Sequence, residues 1–256
     1  METEPMTNQD QSQAPVFSGK EVHFPADQKR RKEDDQSQSH TVVHFDQELF
    51  LLRNSVMAMG GRVLDQLLQA LEALENHDTA QARVVLEKDL VIDKLEIDTN
   101  AYIFSLLARR APVAKDLRVI LASSKIINNL ERIGDETLKL ARFTLELAAV
   151  GHQDNTALEG VFLMGEMAIA MLRKALNVFD SQDRGLAIRV AEDDLELDSE
   201  FRKTLHSLID SASRNPSGIG DTIGIALLIK ALERIGDHAH NIAEYVVFQI
   251  EGGNIA

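Results

Sequence analysis

Eight acidic residues of this chain form four pairs, each spaced four positions apart: Asp89/Asp93, Glu131/Asp135, Asp194/Asp198 and Glu233/Asp237. On a helix this spacing places both carboxylates on one face, where like charges destabilise by about 0.2–0.5 kcal/mol per pair. Repeating an unfavourable pairing points to a cation held between the carboxylates. Oxygen-only ligands suit hard ions such as Mg, Ca, Mn or Fe, with Zn also possible, and bridging carboxylates allow more than one ion per site. A single pair is better explained by a solvated acidic face with Arg132, Arg234 or a lysine as counter-charge. Four pairs with internal symmetry favour metal.

The symmetry is a sequence repeat. Leu-Glu-Arg-Ile-Gly-Asp occurs at 130–135 and again at 232–237. Residues 59–93 align without gaps on 164–198, with 12 identities in 35 positions that include Met59/Met164, Gly60/Gly165 and Leu71/Leu176. Residues 124–143 align on 226–245 with 8 identities in 20, so the chain reads as two copies of one unit.

The elements that position the pairs are helices. Leu49, Leu52, Val56, Met59, Val63, Leu67 and Leu71 step by three and four, marking a long amphipathic helix from about Phe45 to Asn76-His77. Asp78-Thr-Ala-Gln81 reads as a capping box opening a second helix that runs to about Arg110. Ala111-Pro112 breaks the chain before a third helix, from about Ala114 to Ala149. Gly151 to Asn155 reads as a linker, and Thr156-Ala-Leu-Glu159 as a second capping box. A fifth helix follows Asp183 and ends near Arg214-Asn215-Pro216; the sixth ends before Gly252-Gly253. The fold class is therefore all-α, a tandem of two three-helix bundles over residues 43–151 and 152–256. Residues 1–42, polar and without periodicity, are expected to form a disordered tail.

This arrangement brings the pairs together. In an antiparallel hairpin, residues equidistant from the turn lie level. Asp93 and Glu131 are equidistant from Pro112, as are Asp89 and Asp135; Asp194, Asp198, Glu233 and Asp237 are related in the same way about Asn215-Pro216. Four carboxylates at one level cannot all stay ionised without a counter-charge.

Composition excludes several classes. A formal charge of −14 argues against nucleic-acid binding and against a cationic phosphate cleft. The chain has no cysteine, which removes disulfides and thiolate chemistry. No apolar run is long enough for membrane insertion, and the N-terminus lacks a secretion signal, so a cytoplasmic location is expected.

The doubled Leu-Glu-Arg-Ile-Gly-Asp, with Asn241-Ile-Ala-Glu244 and Met57-Ala-Met59-Gly60, resembles the PhoU family across about residues 45–250. The resemblance implies a non-enzymatic, cytoplasmic regulator of phosphate uptake, often a homodimer. It would link the ATPase of a phosphate ABC transporter to a membrane sensor kinase and act as a negative regulator of the starvation response. It also implies metal clusters on Asp89, Asp93, Glu131, Asp135, Asp194, Asp198, Glu233 and Asp237. The rival readings are a metal-independent helical adaptor and a di-iron, ferritin-like enzyme. The Glu-x-x-His motif usual in the latter is absent, and no nucleophile–base pair or phosphate-cradling loop is evident.

Other residues carry smaller expectations. Lys139 places a positive charge near the first acidic group, so the second is expected to bind metal more tightly. His240 shares the Asp237 face and reads as an exposed helix histidine rather than a ligand. Gly134 and Gly236 lie mid-helix, where glycine costs about 1 kcal/mol relative to alanine, and suggest close approach of a neighbouring helix or of a metal site. Met57, Met59, Met164, Met167 and Met171 read as core. Arg109, Arg110 and Arg118 form a basic cluster at a hairpin end, either solvated or facing an acidic partner.

Overall fold

The computed structural model describes residues 26–150, 158–214 and 218–252. Six helices follow in order: α1 (Ala26–Glu75), α2 (Thr79–Arg110), α3 (Ala114–Val150), α4 (Glu159–Ser181), α5 (Arg184–Arg214) and α6 (Ile219–Glu251). Among the described residues there is no strand.

Local chemistry sets the ends. The Asp78 carboxylate accepts from the backbone N–H groups of Ala80 and Gln81, both at 2.9 Å, and so caps α2. The reciprocal half of the expected capping box does not form: the Gln81 amide turns back to the Gln69 carbonyl and the Glu72 carboxylate of α1. Ala111 takes a left-handed conformation (φ 43°) that ends α2, with Pro112 beyond it. Asp183 accepts from Gly185 at 2.7 Å at the start of α5, and Gly252, at φ 75°, closes α6. The expected linker at Gly151–Asn155, the cap at Thr156 and the turn at Asn215-Pro216 lie outside the described residues; α4 begins at Glu159 without a side-chain cap.

One expectation needs correction. Helix α1 begins at Ala26, not near Phe45, so residues 26–42 are helical rather than disordered. Gln, Lys and Arg, abundant there, have good helix propensity even without an apolar face. Both repeats lie within one compact unit, residues 44–256. A three-helix repeat alone leaves apolar faces bare, and each repeat covers the other's.

The α1 stripe behaves as its spacing predicts: Leu52, Val56, Met59, Val63 and Leu67 are fully buried, each contributing about 1.5–3 kcal/mol of apolar burial. Met164 and Met171 are buried with them, and Met57 and Met167 pack at the core's edge. Across the repeats α3 packs antiparallel on α6. Arg118 meets Gln249, Asn129 meets His238 and Asn241, Glu136 meets Arg234, and Phe143 meets Gly224. Ile133 and Ile235, repeat equivalents, lie at the middle of this crossing.

Candidate metal centres

Hairpin α2–α3 carries the first acidic group and hairpin α5–α6 the second. The level placement expected from the turn holds in both. Asp89 lies close enough to Asp93 and Asp135 for their charges to raise its pKa, and Glu131 is raised likewise by Asp135, Glu96 and Asp93. In the second hairpin Asp237 is raised by Glu233, Asp194 and Asp198. For all three, desolvation is the largest cause and the neighbouring carboxylates add to it. Seven of the eight residues are half-buried. Asp237 is the exposed one, so its desolvation is partial.

Part of this charge is compensated within the protein. Arg132 reaches Glu131 at 3.4 Å and Asp135 at 3.6 Å, as a counter-charge reading expects. Arg234 does not serve the second group in this way; it crosses to Glu136 of α3. There Lys230 pairs with Glu233 and Arg202 with Asp198. His240 is half-buried rather than exposed: its Nδ1 lies 3.0 Å from Asp194 Oδ2, and that hydrogen bond raises its pKa. Lys139 bonds Glu136 rather than the first acidic group, and the basic charge that acts on Asp89 is that of Arg142.

Two residues at the first group were not legible beforehand. Glu96 adds a carboxylate beside Glu131, three positions past Asp93. Gln66, on α1, donates to Asp89 at 3.2 Å. A Cβ on Gly134 would lie 3.4 Å from Gln66 Oε1 and 3.6 Å from Asp89 Oδ1, so this glycine sits against the acidic group, while Gly236 packs on Leu197.

Among the described residues, no three carboxylate or imidazole groups converge at coordinating distance. The donor chemistry nevertheless fits a cation. Mutually repelling, partly desolvated carboxylates gain from one. Gln66 Oε1, buried beside Asp89, has no hydrogen-bond donor among the described residues. In the second repeat Met171 takes the place of Gln66, so no amide stands at the equivalent position.

Comparison with known proteins agrees with this architecture. Residues 56–144 and 161–246 each match the PhoU domain family. The chain is 37% identical over 216 residues to the phosphate-specific transport system accessory protein PhoU homolog of Pseudomonas aeruginosa, covering 84% of this chain and 89% of that protein. It is 32% identical over 213 residues to the phosphate-specific transport system accessory protein PhoU of Escherichia coli (strain K12), covering 83% and 88%. The crystal structure of PhoU from Pseudomonas aeruginosa superposes with a TM-score of 0.79 over 82% of this chain and 100% of that one, at 37% identity. That of the phosphate transport system regulatory protein PhoU from Streptococcus pneumoniae gives 0.75 over 83% and 99%, at 28% identity. These relatives are named as accessory and regulatory proteins, not as enzymes. Two matched repeats on six helices, with this identity over most of its length, place the chain in the PhoU family.

Proposed function

We propose that this chain is a cytoplasmic regulatory adaptor of phosphate uptake. It contacts the ATPase of a phosphate transporter and a membrane sensor kinase, and it holds the starvation response off when phosphate is plentiful. The observation that supports this most directly is the match, over most of both chains, to proteins named as accessories of phosphate-specific transport. Among the described residues, no helix is long and apolar enough to cross a membrane, so contact with a membrane-bound transporter would be made from outside the bilayer.

In this reading Asp89, Asp93, Glu131 and Asp135 would hold one set of metal ions, and Asp194, Asp198, Glu233 and Asp237 a second. The ions, Mg, Mn, Fe or Zn by donor chemistry, supply positive charge and fix the two hairpins rather than catalyse. Gln66 and Glu96 support the first set and His240 the second. The homodimer implied by the family resemblance belongs to the same proposal, and light scattering on the purified chain tests it.

The function is tested by transcription from a phosphate-starvation promoter in phosphate-replete cells. Deletion should derepress it, and wild-type complementation should restore silence. A folded Glu131→Ala/Asp135→Ala/Glu233→Ala/Asp237→Ala variant should fail to restore it. Rescue by that variant would remove the acidic groups from the mechanism, and a silent promoter on deletion would remove the regulatory role.

A further inference from the structure

At the end of the α3–α6 crossing where Phe143 meets Gly224, a groove of about 430 Å³ opens between the helices. Lys139 and Arg142 stand on its α3 wall, Lys230 and Arg234 on its α6 wall. Apolar surface lies between them. Leu227, at 64% exposure, projects from the groove, and Ile223, one turn earlier on α6, is 57% exposed. A Cβ on residue 224 would come within 2.4 Å of the Phe143 ring, so glycine keeps the floor low there.

The sign of this groove is opposite to that of the protein. Glu136 accepts from both Lys139 and Arg234, which leaves one of those two charges uncompensated. Lys230 is matched by Glu233, Glu146 is the one carboxylate on the lining, and the charge of Arg142 is felt by Asp89 on the α2 side. This end of the crossing is therefore locally cationic on a chain of net charge −14.

The repeat provides an internal control. The equivalents of Lys139, Arg142 and Lys230 are Asn241, Glu244 and Asn128, whereas Arg234 and Leu227 correspond to Arg132 and Lys125. The opposite end of the same crossing therefore has fewer cations, a carboxylate in place of Arg142 and no leucine in place of Leu227. Packing of α3 on α6 alone would have been served by either set.

An inorganic anion would use the cations and leave exposed Leu227 and Ile223 idle. A segment with apolar residues on one side and carboxylates on the other uses both. A trough between two antiparallel helices suits the i, i+3/i+4 anchors of an amphipathic helix, and arginine with aromatic and aliphatic surface is the composition of a binding patch. We propose that this groove is the docking site for an acidic, amphipathic segment of a protein partner. The inference rests on the adaptor reading and deepens it, assigning one partner contact to the α3–α6 groove.

The test uses the purified full chain and three probes. These are a fluorescein-labelled amphipathic helical peptide with Leu on one face and Glu on the other, its twin with Lys for Glu, and inorganic phosphate as competitor. The Glu peptide should bind saturably by fluorescence anisotropy and the Lys peptide should not. Arg142→Glu and Leu227→Asp should each weaken binding about tenfold or more, since an oppositely charged or polar group then faces the peptide. Arg142→Lys should retain most of it, and Arg83→Glu, a matched change on the exposed face of α2, should leave it unaltered. No saturable binding overturns the proposal, as does equal loss in Arg83→Glu and Arg142→Glu. Displacement by phosphate with no effect of Leu227→Asp also overturns it, in favour of a small-anion site. Peptide binding as described with a silent promoter on deletion would leave the groove standing while the phosphate role fails; derepression without groove-dependent binding would do the reverse.

Discussion

Leu176 of α4 fills the space that a side chain on Gly60 of α1 would need. A Cβ there would lie 2.3 Å from Leu176 Cδ2. Their repeat equivalents return the contact: Leu71 of α1 lies over Gly165 of α4, where a Cβ would be 2.7 Å from Leu71 Cδ2. Two of the identities that define the repeat, four residues in all, thus form one reciprocal lock between the two halves.

Gly60→Ala and Gly165→Ala should each lose stability, by about 1–2 kcal/mol net, because overpacking outweighs the gain in helix propensity. Gly61 has open space where its Cβ would be. Gly61→Ala should therefore gain up to about 1 kcal/mol. Urea unfolding of the three variants decides it, and a stabilised Gly60→Ala would show that Leu176 does not hold its place.

Glu48 is buried and receives Arg109 at 2.9 Å and Arg110 at 2.7 Å. The Arg110 hydrogen bond, with Arg109 beside it, lowers its pKa against the opposing effect of burial. A carboxyl depressed in the fold stabilises it above the ordinary carboxylate range, and that increment disappears as pH falls through the folded value. Glu48→Gln should cost about 1–3 kcal/mol at neutral pH, and its deficit should shrink below about pH 4. Unfolding curves at neutral and acid pH test this; a deficit constant across both would mean the ion pairs add nothing.

Arg234 reaches buried Glu136 at 2.7 Å and ties α6 to α3. A double-mutant cycle on Glu136→Ala and Arg234→Ala should return a coupling of about 1 kcal/mol or more. Coupling near zero would mean that Lys139 alone satisfies the carboxylate.

The acidic groups predict opposite pH trends with and without metal. Asp89, Glu131 and Asp237 have raised pKa values, so with chelator present the fold takes up protons more readily than the unfolded chain does. Stability should then rise as pH falls from neutrality toward the ordinary carboxylate range. With millimolar Mn²⁺ or Mg²⁺ the neutral-pH melting temperature should rise, and acidification should lower it as protons displace the ion. Glu131→Gln/Asp135→Asn and Glu233→Gln/Asp237→Asn should each remove part of the metal-dependent gain. Identical melting curves with chelator and with metal would refute both metal centres.

Much of this arrangement was legible because it is periodic. The α1 stripe, the break at Ala111-Pro112 and the level placement of the acidic pairs follow from helix geometry and distance to a turn. What escaped depends on contacts between elements far apart in the chain. Arg109 and Arg110 look like a solvated hairpin end until α1 brings Glu48 beneath them. Arg234 looks like the natural counter-charge for Glu233 until α3 offers Glu136, and His240 looks exposed until Asp194 of α5 meets it. The N-terminal extent of α1 was missed for a different reason. Apolar periodicity reports a buried face, and a helix built on polar propensity has none.

The antiparallel crossing of α3 on α6 and the reciprocal glycine–leucine lock share a symmetry, that of an isologous dimer in which each contact occurs twice. In two separate identical chains, any mutation at one end of such an interface appears at the other end as well. Joining the halves into one polypeptide lifts that constraint. Lys139 and Arg142 can then stand opposite Asn241 and Glu244, giving a pseudo-symmetric body two chemically different ends.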